Sequence, residues 1–157
     1  MFSRITVLGL LASFLGLSLP VQAQNCTPIP LVGKPQTNEV TKTVAQPTIP
    51  GPFGIKITRN NWNTDWAVSS DANFTRYVAT ITASDGGTFD IKFFLKYSDQ
   101  TEDEFFNNRE KRLAAGETLT IEAVPRSATE QPFHVNLFVN GIPALGRTYT
   151  VSVVGCR

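Results

Sequence analysis

The sequence has few of the side chains that carry metal or nucleophilic chemistry. Its 157 residues include a single histidine, His134, and only two cysteines. A zinc site needs several histidine or cysteine ligands, and a general base needs an orienting partner and a nucleophile within reach. We therefore expect no catalytic residue, no metal site and no cofactor. A small secreted enzyme or enzyme inhibitor that uses His134 with a carboxylate remains an alternative.

The chain also lacks an excess of charge of one sign. It carries 14 basic and 13 acidic residues, and Arg4 lies in a segment that we expect to be removed, so the remaining charges balance. Nucleic acids and anionic membranes attract strongly basic surfaces. We expect neither of them as a partner.

Long hydrophobic runs are absent except near the start of the chain. There, Ile5–Leu19 follows Arg4 and is succeeded by Pro20 and by small residues at 21 and 23. This order is typical of a secretory signal peptide, and the run is short for a membrane span. We expect residues 1–23 to be cleaved and the product to be a secreted or periplasmic bacterial protein with no membrane anchor. An uncleaved anchor is the alternative.

The two cysteines lie near opposite ends of the expected mature chain. Cys26 follows the cleavage site closely, and Cys156 is the penultimate residue. In an exported protein such a pair predicts a disulfide bond. Closing so long a loop stabilises the fold by about 4–5 kcal/mol through loss of unfolded-state entropy. Two free thiols are the alternative.

The remaining sequence divides into a proline-rich arm and a β-like domain. The arm, residues 24–52, holds six of the ten prolines, which disfavours helix. We expect it to lie along a sheet edge, with Val40–Val44 as a short edge strand, or else to be disordered. Residues 53–157 alternate apolar and polar side chains between short turns, which is typical of strands.

The clearest alternation extends from Tyr77 to Tyr97, on both sides of Asp85-Gly86-Gly87. As a hairpin with a three-residue turn, it would pair Ala83 with Phe89 and Ile81 with Ile91, which makes one face wholly apolar. The alternative is an arch between two stacked sheets, in which the same side chains point inward from both sides.

One segment is ambiguous. Residues 105–115 have helix-capping signals at Thr101 and Glu104, yet few of their side chains are apolar. We favour an edge ribbon that turns at Asn107-Asn108 and keep a helix as the alternative. In total the pattern predicts an all-β, antiparallel two-sheet sandwich of about seven strands.

The chain from about Trp62 to Cys156 resembles the immunoglobulin-like and fibronectin-III-like modules of exported bacterial proteins. The resemblance rests on Val78–Thr82, the Asp-Gly-Gly turn, Phe89–Tyr97 and the Leu113-Ala-Ala-Gly-Glu-Thr turn that leads into Ile121. It implies the fold and no particular function. Unlike antibody domains, this chain has no inter-sheet cysteine pair around a central tryptophan.

Two surfaces are candidates for partner binding. Phe94 and Phe138 fall on the outward side of strands whose inward side is already apolar. If those strands are neighbours, the two rings form an exposed patch, unless another segment covers it. The candidate partner surface comprises Phe94, Phe138, Lys92, Lys96, His134 and Asn136. Trp62 and Trp66 share one side of their strand and are a candidate glycan platform, with core packing as the alternative.

The acidic run Asp99–Glu104 offers oxygen ligands for calcium, and a solvated loop is the alternative. The sequence therefore favours an exported, non-catalytic module that binds a protein or a glycan. A carrier of a metal or small ligand is a further alternative.

Overall fold

The computed structural model describes residues 25–45, 48–54, 56–58 and 61–157, in which the regular elements are eleven strands and two short 3-10 helices. The helices span Pro52–Gly54 and Ile142–Ala144. The predicted signal peptide lies outside the described residues. The strands are β1 (Cys26–Pro28), β2 (Glu39–Thr43), β3 (Thr48–Pro50), β4 (Lys56–Thr58), β5 (Asn63–Ala67), β6 (Arg76–Ala83), β7 (Gly87–Lys96), β8 (Glu102–Leu113), β9 (Thr118–Ala123), β10 (His134–Asn140) and β11 (Thr148–Cys156).

Nine of these strands form two antiparallel sheets that pack face to face. The first sheet has the order β1-β11-β6-β9, with β2 also paired to β11, and the second has the order β5-β10-β7-β8. Within the described residues, strands β3 and β4 pair with each other in a separate two-stranded sheet. The all-β two-sheet sandwich predicted from the sequence is confirmed.

The strand order is that of a jelly roll. If β1 and β2 count as one edge strand, the first principal strand pairs with the last, β5 with β10, β6 with β9, and β7 with β8. This is a long hairpin rolled into two sheets. An immunoglobulin-like domain would instead place strands A, B, E and D together. The predicted immunoglobulin-like arrangement is therefore not observed.

The inward side chains meet in one continuous core, which combines the alternating positions of both sheets. Among its largest fully buried side chains are Trp66, Tyr77, Tyr149, Phe89 and Phe93. Burial in this layer raises the pKa of Tyr149 to about 12. The period-2 alternation in the sequence thus assigned most inward positions correctly. The same alternation also predicts an inward Phe133, but β10 begins one residue later and Phe133 is 43% exposed.

The Asp85-Gly86-Gly87 turn joins the two sheets and does not close a hairpin. Strand β6 pairs with β11 and β9, whereas β7 pairs with β10 and β8. The hairpin prediction is wrong and the arch alternative is correct. Both place the same residues inward, so the alternation alone did not distinguish them. At Gly86, φ is +68° and a Cβ would lie 2.8 Å from the backbone nitrogen of Ala115.

The segment predicted to be an arm supplies an edge of the first sheet. Strands β1 and β2 pair with successive parts of β11, and Ile29, Leu31 and Val44 are buried in the core. Cys26 lies opposite Cys156 in the ladder and is bonded to it. The predicted disulfide is present, and it closes a loop with a sequence separation of 130 residues.

The ambiguous segment is part of β8, an uninterrupted edge strand of the second sheet. The helix alternative is therefore wrong. The expected turn at Asn107-Asn108 is also absent, because β8 continues along β7 with two register shifts instead of folding back. No helix long and apolar enough to cross a bilayer occurs within the described ranges.

Candidate functional site

The outward face of the second sheet brings the candidate partner surface together. Strands β7 and β10 are neighbours, and their register places Asn136 opposite Phe94 and Phe138 opposite Lys92. His134 lies opposite Lys96 in the next row. All six predicted residues therefore share one face. We call this surface the outer face, and it also includes Asn63 and Asp65 of β5.

The two phenylalanines lie on the outer face and are only partly buried. The ring of Trp62 meets that of Phe138 edge to face, with centroids 5.9 Å apart and an interplanar angle of 86°. Trp62 therefore covers part of Phe138. The Nε1 atom of Trp62 is buried and has no hydrogen-bond partner among the described residues.

Trp66 does not form a platform with Trp62. Its side chain is fully buried, and its Nε1 donates a hydrogen bond of 2.8 Å to the carbonyl oxygen of Asn38. A ring enclosed in the core cannot stack on a sugar, so the predicted two-ring glycan platform is wrong for Trp66. Strand β5 turns Trp66 inward because its apolar side packs against the other sheet.

A polar network lies beside the aromatic rings. Asp65 Oδ1 accepts hydrogen bonds from Asn136 Nδ2 at 2.9 Å and from Lys96 Nζ at 3.2 Å. Asn136 is only 2% exposed, so it was wrong to expect an exposed amide there. Neighbouring side chains enclose it, and its Nδ2 also lies 3.2 Å from Asn63 Oδ1. The network fixes the Asp65 carboxylate in the same row of the sheet as Phe94, with Asn136 between them.

The edges of the outer face differ. At the β5 edge, Lys42 reaches across from the first sheet and donates to the Asn63 carbonyl and the Thr64 hydroxyl, each at 2.9 Å. Burial lowers the pKa of Lys42. At the β8 edge, Glu102 and Glu104 lie opposite Lys96 and Phe94.

His134 lies on the outer face at the start of β10. Its ring stacks obliquely on that of Phe133, with centroids 4.3 Å apart and planes inclined by 38°. Within the described residues its ring makes no hydrogen bond to the carboxylate or nucleophile that a catalytic assignment would need. The structure thus places His134 in a patch of rings and lysines.

The acidic run binds an arginine. Asp103 accepts two hydrogen bonds from Arg126, at 2.8 and 2.9 Å, and Asp99 lies 3.6 Å from the same guanidinium. Hydrogen bonds from Arg126 lower the pKa of Asp103. The guanidinium also stacks over the Tyr97 ring at 3.9 Å. In the described part of the chain no group of three or more potential ligands is arranged to hold a metal ion.

Asp65 and Asn63 were not among the sequence candidates for this surface. Both were recognisable as outward residues of β5 from its alternation. Their hydrogen bonds with Asn136 depend on the pairing of β5 with β10. That pairing joins segments about 70 residues apart in the sequence. No local pattern predicts that pairing.

Comparison with solved structures finds weak similarity to carbohydrate-binding modules. A variant of CBM29-2, from family 29, is 11% identical, with coverage of 85% of this chain and 91% of that one and a TM-score of 0.44. The CBM22-1 xylan-binding domain of Paenibacillus barcinonensis Xyn10C is 8% identical, with coverage of 78% and 86% and a TM-score of 0.36. No protein-family model and no curated protein matches the sequence. Similarities this weak carry no argument about function.

Proposed function

We propose that this chain is an exported, non-catalytic module that binds a glycan on its outer face. The observation that carries the proposal is the register of β7 and β10. It sets Phe94 and Phe138 beside the hydrogen-bonded network of Asn136, Asp65 and Lys96. The outer face therefore offers apolar rings and fixed polar groups within one small area.

This combination suits the chemistry of sugars. A sugar ring has apolar C–H faces, which pack on aromatic rings, and a rim of hydroxyls, which need directed donors and acceptors. Phe94 and Phe138 are diagonal neighbours, which places them about 7–8 Å apart. Asp65 and Lys96 lie in adjoining rows and supply a carboxylate acceptor and an ammonium donor.

A protein partner is the weaker interpretation of the same surface. A stable protein interface buries about 800 Å² on each partner, with a core depleted of charge. On the outer face, by contrast, lysines, amides and carboxylates alternate with the two partly buried rings. The interspersed polar groups favour a ligand rich in hydroxyls.

Export is supported by the covalent structure of the domain. Disulfide bonds form and persist in oxidising compartments, and Cys26 is bonded to Cys156. The sequence before Cys26 has the features of a signal peptide. We therefore place the module in the periplasm or outside the cell.

A binding titration tests the proposal. The disulfide-bonded protein, beginning at residue 24, is titrated with a panel of neutral oligosaccharides. The panel includes mannohexaose and xylohexaose, and binding is measured by calorimetry. Phe94→Ala and Asp65→Ala are each expected to weaken binding at least tenfold, because they remove a stacking surface and a hydroxyl acceptor.

Thr150→Ala provides the matched control, because Thr150 lies on the outward side of the opposite sheet. It is expected to leave affinity unchanged. Failure of every oligosaccharide to bind would contradict the proposal, as would an equal loss in the Thr150 variant. Binding of a protein and of no sugar would favour the protein interpretation.

A further inference from the structure

A cleft of about 490 Å³ opens at one end of the sandwich, away from the residues of the network described above. Three connections form its walls: residues 68–72 between β5 and β6, Ser98 after β7, and residues 128, 129 and 131–133 before β10. Its volume lies in the range of small-ligand pockets. It shares no lining residue with the six residues of the candidate partner surface.

One wall of the cleft is held rigidly by Gln131. Its Nε2 lies 3.0 Å from the carbonyl oxygens of Phe74 and Ser127, and its Oε1 accepts a hydrogen bond of 2.6 Å from the Tyr77 hydroxyl. Tyr77 is fully buried, so this contact anchors the β9–β10 connection to the core. A wall fixed before binding spares a ligand the entropic cost of ordering it.

The polar side of the cleft carries hydroxyls and one carboxylate. Asp71 accepts a hydrogen bond from the Ser69 hydroxyl, which lowers its pKa, with Arg157 contributing in the same direction. Asp71 is therefore ionised at neutral pH. Ser70 and Ser98 add hydroxyls, and the described residues that line the cleft include no lysine, arginine or histidine.

The apolar side is formed by Phe133. Its ring is 43% exposed and is oriented by its stacking on His134. The lining of the cleft thus combines an aromatic ring with a carboxylate and hydroxyls. An anionic ligand would be repelled by Asp71, the one charged side chain among the described lining residues, although the positive charge of Arg157 nearby reduces that repulsion. A neutral ligand with an apolar face and hydroxyl groups could pack on the aromatic ring and donate hydrogen bonds to the carboxylate.

We propose that this cleft is a second binding site, which takes a single neutral sugar unit independently of the outer face. Phe133 packs on the C–H face of the sugar, and Asp71 accepts hydrogen bonds from its hydroxyls. The hydroxyls of Ser70 and Ser98 complete the contacts. Among the described residues, the cleft touches the outer face only where Phe133 stacks on His134 and shares none of its six candidate residues. Sugar binding in the cleft can therefore be tested separately from glycan binding on the outer face.

An NMR titration tests the site. The isotope-labelled, disulfide-bonded protein is titrated separately with D-glucose, D-mannose and D-xylose, and its amide signals are followed. At least one sugar is expected to shift the amides of Ser70, Ser98 and Thr129. Phe133→Ala is expected to weaken that binding at least tenfold. Phe53→Ala is the matched control, because Phe53 is fully exposed on the β3–β4 turn, and it is expected to change nothing.

The charge of Asp71 gives a readout that does not depend on Phe133. D-glucuronate is expected to bind more weakly than D-glucose, and Asp71→Asn is expected to narrow that difference while weakening the neutral sugar. Three results would each overturn the proposal: no sugar shifts the cleft amides, the Phe133 variant binds as the wild type does, or Phe94→Ala abolishes the shifts. The last result would mean a single continuous site.

Discussion

The two sheets of the sandwich have similar inner faces and very different outer faces. On the first sheet, paired threonine hydroxyls bridge neighbouring strands at 2.7–3.0 Å: Thr41 with Thr150, Thr43 with Thr148, and Thr82 with Thr118. On the second sheet, the outward positions hold phenylalanines, amides, lysines and carboxylates. The alternation of buried and outward residues is the same on both.

This contrast distinguishes outward residues that stabilise the sheet from outward residues that the fold does not require. Threonine suits an outward position of a strand, because its branched side chain packs well and its hydroxyl pairs across the ladder. Phe94 and Phe138 are not among the core residues, so the apolar layer is complete without them. The position of these two rings outside the core supports the proposal that they contribute to binding.

The largest expected effect concerns the edge of the first sheet. Replacing both Cys26 and Cys156 by serine removes the bond between β1 and β11. We expect the free energy of unfolding to fall by about 4–5 kcal/mol and the melting temperature by roughly 10–20 °C. Thermal denaturation followed by circular dichroism measures both.

The same variant tests whether glycan binding on the second sheet depends on the disulfide-bonded edge of the first sheet. Below its lowered melting temperature it is expected to bind glycan as well as the wild type, because the bond lies outside the outer face. If adding a reductant left the melting temperature of the wild type unchanged, the ends of the chain would not be joined. Lost affinity in the folded variant would show that the outer face depends on the edge of the first sheet.

The next effect concerns the arch between the sheets and compares two glycines with positive φ. At Gly86 an added Cβ would lie 2.8 Å from a backbone nitrogen, whereas at Gly116 nothing lies within 4 Å. We expect Gly86→Ala to cost about 3 kcal/mol from strain and overpacking, and Gly116→Ala about 1 kcal/mol from strain alone. Urea denaturation measures both, and equal costs would contradict the close approach at the arch.

This arch also marks the limit of what the sequence could predict. The alternation on both sides of Asp85 identified the inward residues, because burial follows side-chain spacing along one strand. It did not identify the neighbours of each strand, since a hairpin and an arch bury the same side chains. The jelly-roll order depends on contacts between distant segments, such as β5 with β10.

On the outer face, too, the sequence indicated which side chains point outward but not which strands are neighbours. Phe94 and Phe138 were recognisable because each lies on the polar side of a strongly alternating strand. Their partner Asp65 was not, because only the three-dimensional pairing brings it to Asn136 and Lys96. The burial of Trp66 illustrates the reverse case, in which an aromatic residue suited to binding serves the core.

A smaller effect tests whether the threonine pairs stabilise the first sheet. Thr82→Val and Thr150→Val each remove one hydroxyl pair while keeping a branched side chain. We expect each to cost about 0.5–1 kcal/mol, the usual net value of a hydrogen bond. On the second sheet, Lys92→Met is expected to change stability by less than about 0.5 kcal/mol, because Lys92 makes no ion pair among the described residues. Each change in the free energy of unfolding is measured by chemical denaturation. If Lys92→Met cost as much as the two threonine variants, the threonine pairs would not stabilise the first sheet more than the lysine stabilises the second.

The smallest expected effect concerns two carboxylates at the β7–β8 turn. Both Asp99 and Asp103 have a pKa below the ordinary value of 3.8. For Asp103 the main cause is hydrogen bonding from Arg126, whereas for Asp99 it is hydrogen bonding from Thr101. Arg126→Gln is therefore expected to raise the pKa of Asp103 more than that of Asp99, and Thr101→Val to do the reverse. Carboxyl NMR titration of each variant measures the two values.

The sign of the stability change follows from the lowered pKa values. A carboxyl group that titrates below its unfolded value stabilises the fold above that value, and this contribution is lost as the pH falls through its folded pKa. Arg126→Gln should therefore flatten the acid side of the stability profile below about pH 4, because Asp103 would no longer release a proton on folding. An unchanged acid slope would contradict the role of Arg126. Such a result would leave the Arg126–Tyr97 stacking as the link between the β7–β8 turn and the β9–β10 connection.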